Sequence, residues 1–177
     1  MANLIVALIA IVVILAAMGS LASSGLTSQG RVADSFRELG NLTGEAARTG
    51  VASLGVAVLD AGATVEFTVR NSGETKLRGF DSWDLFISYQ EAAGTGLQLQ
   101  RLSYTASTSP AAGEWTVAGI FTDASASSTE IHEPGIVNPA EELVVRAAVS
   151  PSIAGGTSNS IALSVTNGVT VEAAFSN

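Results

Sequence analysis

His132 is the only histidine of the 177 residues, and the chain contains no cysteine. It lies in Glu130-Ile-His-Glu133, where a strand would put Glu130 and His132 on one face. A transition-metal centre needs further imidazole or thiolate ligands, and no second His or Cys is present to complete one. His132 therefore reads as an exposed loop or edge-strand residue. Asp81 and Asp84 flank Trp83 and could join Glu74 as oxygen ligands for calcium. Their spacing matches no EF-hand loop, and acidic turn residues are the simpler reading. There is no GxSxG elbow, P-loop or HExxH motif, and Gly94-Thr-Gly96 is ordinary turn chemistry. A serine triad would have to use His132, and nothing places a nucleophile beside it. No catalytic constellation and no cofactor site emerges, so the chain reads as a non-enzyme. The net charge of −8 argues against nucleic acid, whose phosphates would be repelled. Asn41-Leu42-Thr43 is a sequon, so Asn41 is either a glycosylation acceptor or a polar-face helix residue.

What must be positioned, then, is apolar surface. Residues 4–17 read LIVALIAIVVILAA, Met18, Leu21 and Ala22 extend the run, and the first charge is Arg31. A membrane-spanning helix needs about 20 mostly apolar residues, and Ala2 to Ala22 is just that long. A cleaved signal peptide is the rival, but no Lys or Arg precedes the run. Val32, Phe36, Leu39, Leu42, Ala46 or Ala47, Val51 and Leu54 then recur at three- and four-residue steps, the stripe of an amphipathic helix. Arg31, Asp34, Arg37, Glu38, Glu45 and Arg48 fill its other face, and SSGLTSQG at 23–30 is a point for a kink. A helix from residue 2 to about 48 would be roughly 70 Å long. A domain of this size cannot cover that length, so its first half must be buried in a bilayer or in copies of itself.

From about Gly50 the period changes to two. Val51–Asp60, Thr64–Val69, Ser82–Tyr89, Leu97–Tyr104, Glu114–Phe121, Glu142–Val149 and Asn159–Val165 read as strands separated by Gly- and Pro-containing links. Asn167-Gly168 predicts a hairpin with a two-residue turn of positive φ. Trp83, Phe86, Tyr89 and Trp115 are read as aromatic anchors of a sandwich core. The expected fold class is α+β: a long N-terminal hydrophobic α-helix over residues 1–50, then an all-β Ig-like sandwich head over 51–177.

An uncharged apolar helix that continues as an amphipathic one and leads into an all-β head resembles the archaellins, the filament subunits of the archaeal swimming organelle. Type IV pilins share the helix but typically carry Glu at the fifth mature position, where this chain has Ile5. Thr68-Val-Arg-Asn-Ser-Gly-Glu-Thr-Lys-Leu77, followed by Trp83-Asp-Leu-Phe-Ile-Ser-Tyr89, looks like the strand-turn-strand core of archaellar β-sandwich proteins, filament subunits and stator-type components alike. Ile136-Val-Asn-Pro-Ala-Glu-Glu-Leu-Val-Val145 looks like their Asn-Pro-Gly-Glu region, with Ala140 in place of the glycine. No short basic leader precedes the helix, which fits a chain in its processed form.

The resemblance implies a structural subunit of an archaellum-like, type IV pilin-like extracellular filament, a helical polymer on the cell surface, built for motility. Leu4, Ile5, Leu8, Ile11, Val12, Leu15, Met18 and Leu21 would form its self-assembly helix. Small residues at Ala7, Ala10, Ala16, Ala17, Gly19 and Ala22 would let neighbouring backbones approach. The implied partners are identical subunits, the cytoplasmic membrane before assembly, a leader peptidase and an ATP-driven assembly or motor machinery. The energy source is also a physical expectation, because moving an apolar helix from lipid into a bundle gains little. The alternative keeps the fold as a membrane-anchored, stator-like or minor component whose head binds a cell-envelope partner. A secreted β-sandwich binding module is the remaining rival.

Overall fold

The computed structural model describes the backbone of residues 2–94 and 96–177, and within the N-terminal helix the side chains of 11–16, 18–20 and 31–48. The chain divides into two compact units, Met1–Gly44 and Glu45–Asn177.

Helix α1 is Ala2–Arg48. It contains no proline and runs without a break through the SSGLTSQG stretch at 23–30, the expected point for a kink, and Gly19, Gly40 and Gly44 stand in open space. Arg48 lies in the last turn, where a cation suits the helix dipole. The end is closed within the second unit. The Thr49 amide donates to the Glu45 and Ala46 carbonyls at 3.0 and 3.2 Å, and the Glu74 amide donates to the Arg48 carbonyl at 2.8 Å.

Among the described residues nine strands follow: β1 (Val51–Leu59), β2 (Thr64–Asn71), β3 (Asp84–Gln90), β4 (Leu97–Tyr104), β5 (Glu114–Asp123), β6 (Ser128–Thr129), β7 (Glu142–Ala148), β8 (Ser158–Ser164) and β9 (Thr170–Ser176). They hydrogen-bond in one path, β1-β2-β7-β5-β4-β3-β8-β9, with β6 beside β5. Every pairing is antiparallel except β4–β5, a short parallel contact of Ser103 and Tyr104 with Glu114 and Trp115. That contact joins the two layers along one edge.

The expected class is corrected here. The chain is mostly β rather than α+β, and its second unit, expected as an Ig-like sandwich head, is a nearly closed β-sandwich or barrel whose strands form one hydrogen-bonded path. An α+β fold packs helices over one face of its sheet. In this chain the core of the second unit is built from the strands and the loops between them.

Strand alternation produces that core. Val65, Phe67 and Val69 of β2, Leu85, Ile87 and Tyr89 of β3, Leu143, Val145 and Ala147 of β7 and Ile161 and Leu163 of β8 are all buried. Trp115 packs edge-on against Tyr104, with ring centroids 5.0 Å apart. Trp83, Tyr89 and Trp115 are buried, but Phe86 is not. It sits on the outward face of β3 because its neighbours Leu85 and Ile87 take the inward positions.

One buried polar group organises the loops. Asn71 is 1% exposed, and its Nδ2 donates to the Thr75 and Val137 carbonyls at 2.8 and 2.9 Å. The Gly73 amide donates to Asn71 Oδ1 at 3.1 Å. Gly50 and Gly73 cross so closely that a Cβ on Gly73 would lie 2.3 Å from the Gly50 nitrogen and 2.5 Å from the Arg48 oxygen.

Candidate assembly surfaces

On α1, the consecutive residues Ile11, Val12, Val13, Ile14 and Leu15, with Met18, are each 56–63% exposed. Five successive positions at 100° per residue sweep all round a helix, so exposed apolar side chains lie on every side of this segment. Val32, Phe36, Leu39 and Leu42 are likewise more than half exposed. Covering a large apolar side chain is worth about 1.5–3 kcal/mol in full, so these ten together leave on the order of 10 kcal/mol of burial unclaimed. An exposed apolar surface of this extent marks an interaction site. The Asp34–Arg37 pair on the same helix is 3.7 Å apart and well exposed, and contributes little.

Of the expected self-assembly residues, Ile11, Val12, Leu15 and Met18 are thus exposed on α1. The side chains of Leu4, Ile5, Leu8 and Leu21 lie outside the described residues. Among the described residues, no helix is long and apolar enough to cross a membrane. Asn41 is exposed on the helix.

The residues weighed for chemistry are occupied in other ways. The Asp84 carboxylate accepts from Arg101 Nε and Nη2 at 2.8 and 2.5 Å, which takes it away from Asp81 and Glu74. Glu133, next to His132, pairs with Lys76 at 2.5 Å, and His132 itself is exposed. Among the described residues, no three His, Asp or Glu side chains converge as a metal site.

The outer face of β2 and β7 carries charges of alternating sign. Arg146 donates to Glu66 at 2.6 and 2.9 Å, and Arg70 pairs with the buried Glu142, which also accepts from the Ala124 amide at 2.8 Å. In the adjoining turn, the Ser125 hydroxyl and then the Ala126 amide hydrogen-bond Asp123 and hold its carboxyl below the usual range.

The outer face of β3 and β4 has the opposite character. Leu97 and Leu99 are 70% and 73% exposed, opposite Gln90 and Ser88, and Phe86 is on the same face opposite Arg101. The inward positions of β4 belong to Gln98, Gln100 and Leu102. Gln98 Nε2 donates to Glu91 at 3.0 Å and Gln100 Nε2 to the Ser150 carbonyl at 2.6 Å. Reading the strand without its register missed this inversion. The signal available was the parity of Leu102 and Leu97, which cannot share a face.

No family model matches the chain, and no curated protein matches it. Solved structures do. The archaellum periplasmic stator protein FlaG from Sulfolobus acidocaldarius superposes with a TM-score of 0.50 at 20% identity, over 72% of this chain and 99% of that one. The FlaF and FlaG stator complex of the same organism gives 0.49 at 20% identity, over 71% and 87%. The archaeal flagellum of Methanospirillum hungatei strain JF1 gives 0.53 at 12% identity, over 97% of this chain and 89% of that one. At these identities the likeness is one of fold, and the fold is shared with archaellum components.

Proposed function

We propose that this chain is a structural, non-enzymatic subunit of an archaellum-like extracellular filament that polymerises through α1 and displays its β unit on the cell surface. The carrying observation is the helix segment Ile11–Leu15, apolar and exposed on every side. A bundle of identical helices covers such a segment, and each added subunit meets the same environment. The likeness to the Methanospirillum hungatei flagellum supports this reading because it extends over 97% of the chain, helix included. In this reading the apolar helix resides in the cytoplasmic membrane before assembly. Transfer from lipid to a bundle gains little, so an ATP-driven machine supplies the work.

A second reading keeps the chain anchored, with the β unit bound to an envelope partner. The 99% coverage of the stator protein FlaG favours it. Removing detergent from the purified full-length chain and imaging by negative stain tests the first reading: filaments are expected. Particles that stay small under all conditions, from a chain that remains with the membrane when cells are sheared, would favour the second.

A further inference from the structure

We infer that the free edge of β4, with the exposed Leu97 and Leu99, pairs antiparallel with β4 of a second copy. The edge is identified by backbone parity. The Ser103 and Thr105 amides donate to the Gly113 and Trp115 carbonyls at 3.0 and 2.8 Å, on the side away from β3. Backbone groups alternate sides along a strand. Those of Leu97, Leu99 and Arg101 therefore point to that same side, where no backbone hydrogen bond joins them to another described residue. Edge strands are ordinarily protected by Lys, Pro, a bulge or a covering loop. This stretch has neither Lys nor Pro, its one charge, Arg101, is drawn toward Asp84 of β3, and the β3–β4 register runs without a bulge.

Sliding β4 by one residue would bury both leucines, but it would also bury Arg101 and expose Leu102, which is 2% exposed. The register that keeps Leu102 opposite Leu85 in the core therefore displays Leu97 and Leu99 beside the unpaired edge, with Gln98 and Gln100 hydrogen-bonded inward.

Self-complementarity selects a second copy as the occupant. Centred on Leu99, antiparallel pairing sets Leu99 against Leu99, Leu97 against the aliphatic stem of Arg101, and Gln98 against Gln100. The two Arg101 groups then stand four residues apart, roughly 13 Å. Centring on Arg101 would oppose two like charges directly, and centring on Leu97 would leave Leu99 without an apolar partner. A two-fold contact closes on itself and cannot propagate a polar filament. The contact is therefore one between free chains, not the one that propagates a filament, and it stands or falls independently of the filament reading.

The test uses the full-length chain carrying Ile11→Asp, in mild detergent, so that helix-driven polymerisation does not contribute. The chain has no cysteine, so Leu99→Cys and Ser127→Cys are single-thiol variants that a short bismaleimide can cross-link. A covalent dimer is expected to dominate for Leu99→Cys and to be lost for Ser127→Cys. Sedimentation is expected to shift from dimer to monomer with Leu99→Lys, at unchanged circular dichroism. Equal cross-linking of the two thiols, or a dimer that survives Leu99→Lys, overturns the pairing. Filament formation by the unmodified chain is judged separately and is not affected by either outcome.

Discussion

The side-chain amide of Asn167 donates to Thr49 Oγ1 at 2.6 Å, and the same hydroxyl donates to the Glu45 carbonyl at 2.9 Å. The turn of the last hairpin is thereby tied to the residue that follows α1, and Thr49 is 8% exposed. A net hydrogen bond of this kind is worth about 1 kcal/mol. Thr49→Val and Asn167→Ala are each expected to lower stability by about 1–2 kcal/mol. The double variant should lose less than their sum, because both remove one shared bond. Chemical denaturation of the four proteins measures the coupling, and strictly additive losses would show that the bond contributes nothing.

The same hairpin shows how far the residues alone were legible. Asn167-Gly168 marks the turn, and the strands on either side pair from Ser164 with Thr170 outward. The turn is nevertheless not the expected two-residue one. The Gly168 amide donates to the Val165 carbonyl at 2.8 Å, the Val165 amide donates to the Val169 carbonyl at 2.9 Å, and only Gly168 has positive φ, at 83°. That is a three-residue loop with a glycine bulge. Most of the sandwich was readable because inward apolar residues alternate cleanly, as at Val65, Phe67 and Val69. β4 was not, since which of its faces points inward is decided by pairing with β3, and Leu85 opposite Leu102 fixes it. The bridge between Tyr104 and Trp115 that closes the layers was invisible for the same reason: it depends on a two-residue parallel contact with no local signature.

Ala140 adopts φ 71°, a left-handed conformation, while its amide donates to the Asn71 carbonyl at 2.8 Å. An L side chain there costs roughly 1–2 kcal/mol, and glycine gives part of that back in unfolded-state entropy. Ala140→Gly is therefore expected to stabilise the protein by up to about 1 kcal/mol, raising Tm by about 2–4 °C. A lower Tm for the variant would mean that the Ala140 methyl makes a favourable contact outweighing the strain.

Gly73 is expected to behave in the opposite way. A methyl group there meets the backbone of Arg48, Thr49 and Gly50 at 2.3–2.9 Å, and backbone cannot rotate aside as a side chain can. Gly73→Ala should destabilise by about 2–3 kcal/mol, with Gly113→Ala, whose Cβ would meet nothing, as a comparison confined to its own positive φ. Thermal melting of the two variants decides whether close approach at Gly73 is the larger effect.

Burial, reinforced by the nearby Glu91 charge, pushes the Tyr89 hydroxyl above its ordinary value, and the hydroxyl donates to the Pro151 carbonyl at 2.8 Å. The folded protein therefore holds this proton at pH values where the unfolded chain has released it. Stability from this group is full below the unfolded value of about 10 and falls as pH rises beyond it. Tyr89→Phe should lose about 1 kcal/mol near neutral pH and show a shallower alkaline decline than the unmodified protein. Parallel declines of the two Tm curves above pH 10 would rule out Tyr89 as a source of the alkaline sensitivity.

The sharpest expectation concerns Ile11, which lies in the middle of the apolar run and is 57% exposed on the isolated chain. In a bundle of helices it would face only apolar neighbours, and the nearest basic residue along the chain is Arg31. A buried unpaired carboxylate costs several kcal/mol even after relaxation, and symmetry imposes that cost at every subunit. Membrane residence before assembly is also penalised, by roughly 2.5–3.5 kcal/mol for a central Asp, so yield should fall without vanishing. Ile11→Asp is expected to abolish filaments. Ser127→Asp should leave them intact, because Ser127 is exposed with φ 53° and Asp tolerates that left-handed conformation. Both substitutions take the net charge from −8 to −9, so added charge alone cannot explain a difference between them. Filaments of normal length from the Ile11 variant would show that α1 is not the polymer core, and would leave the anchored, stator-like reading as the one to pursue.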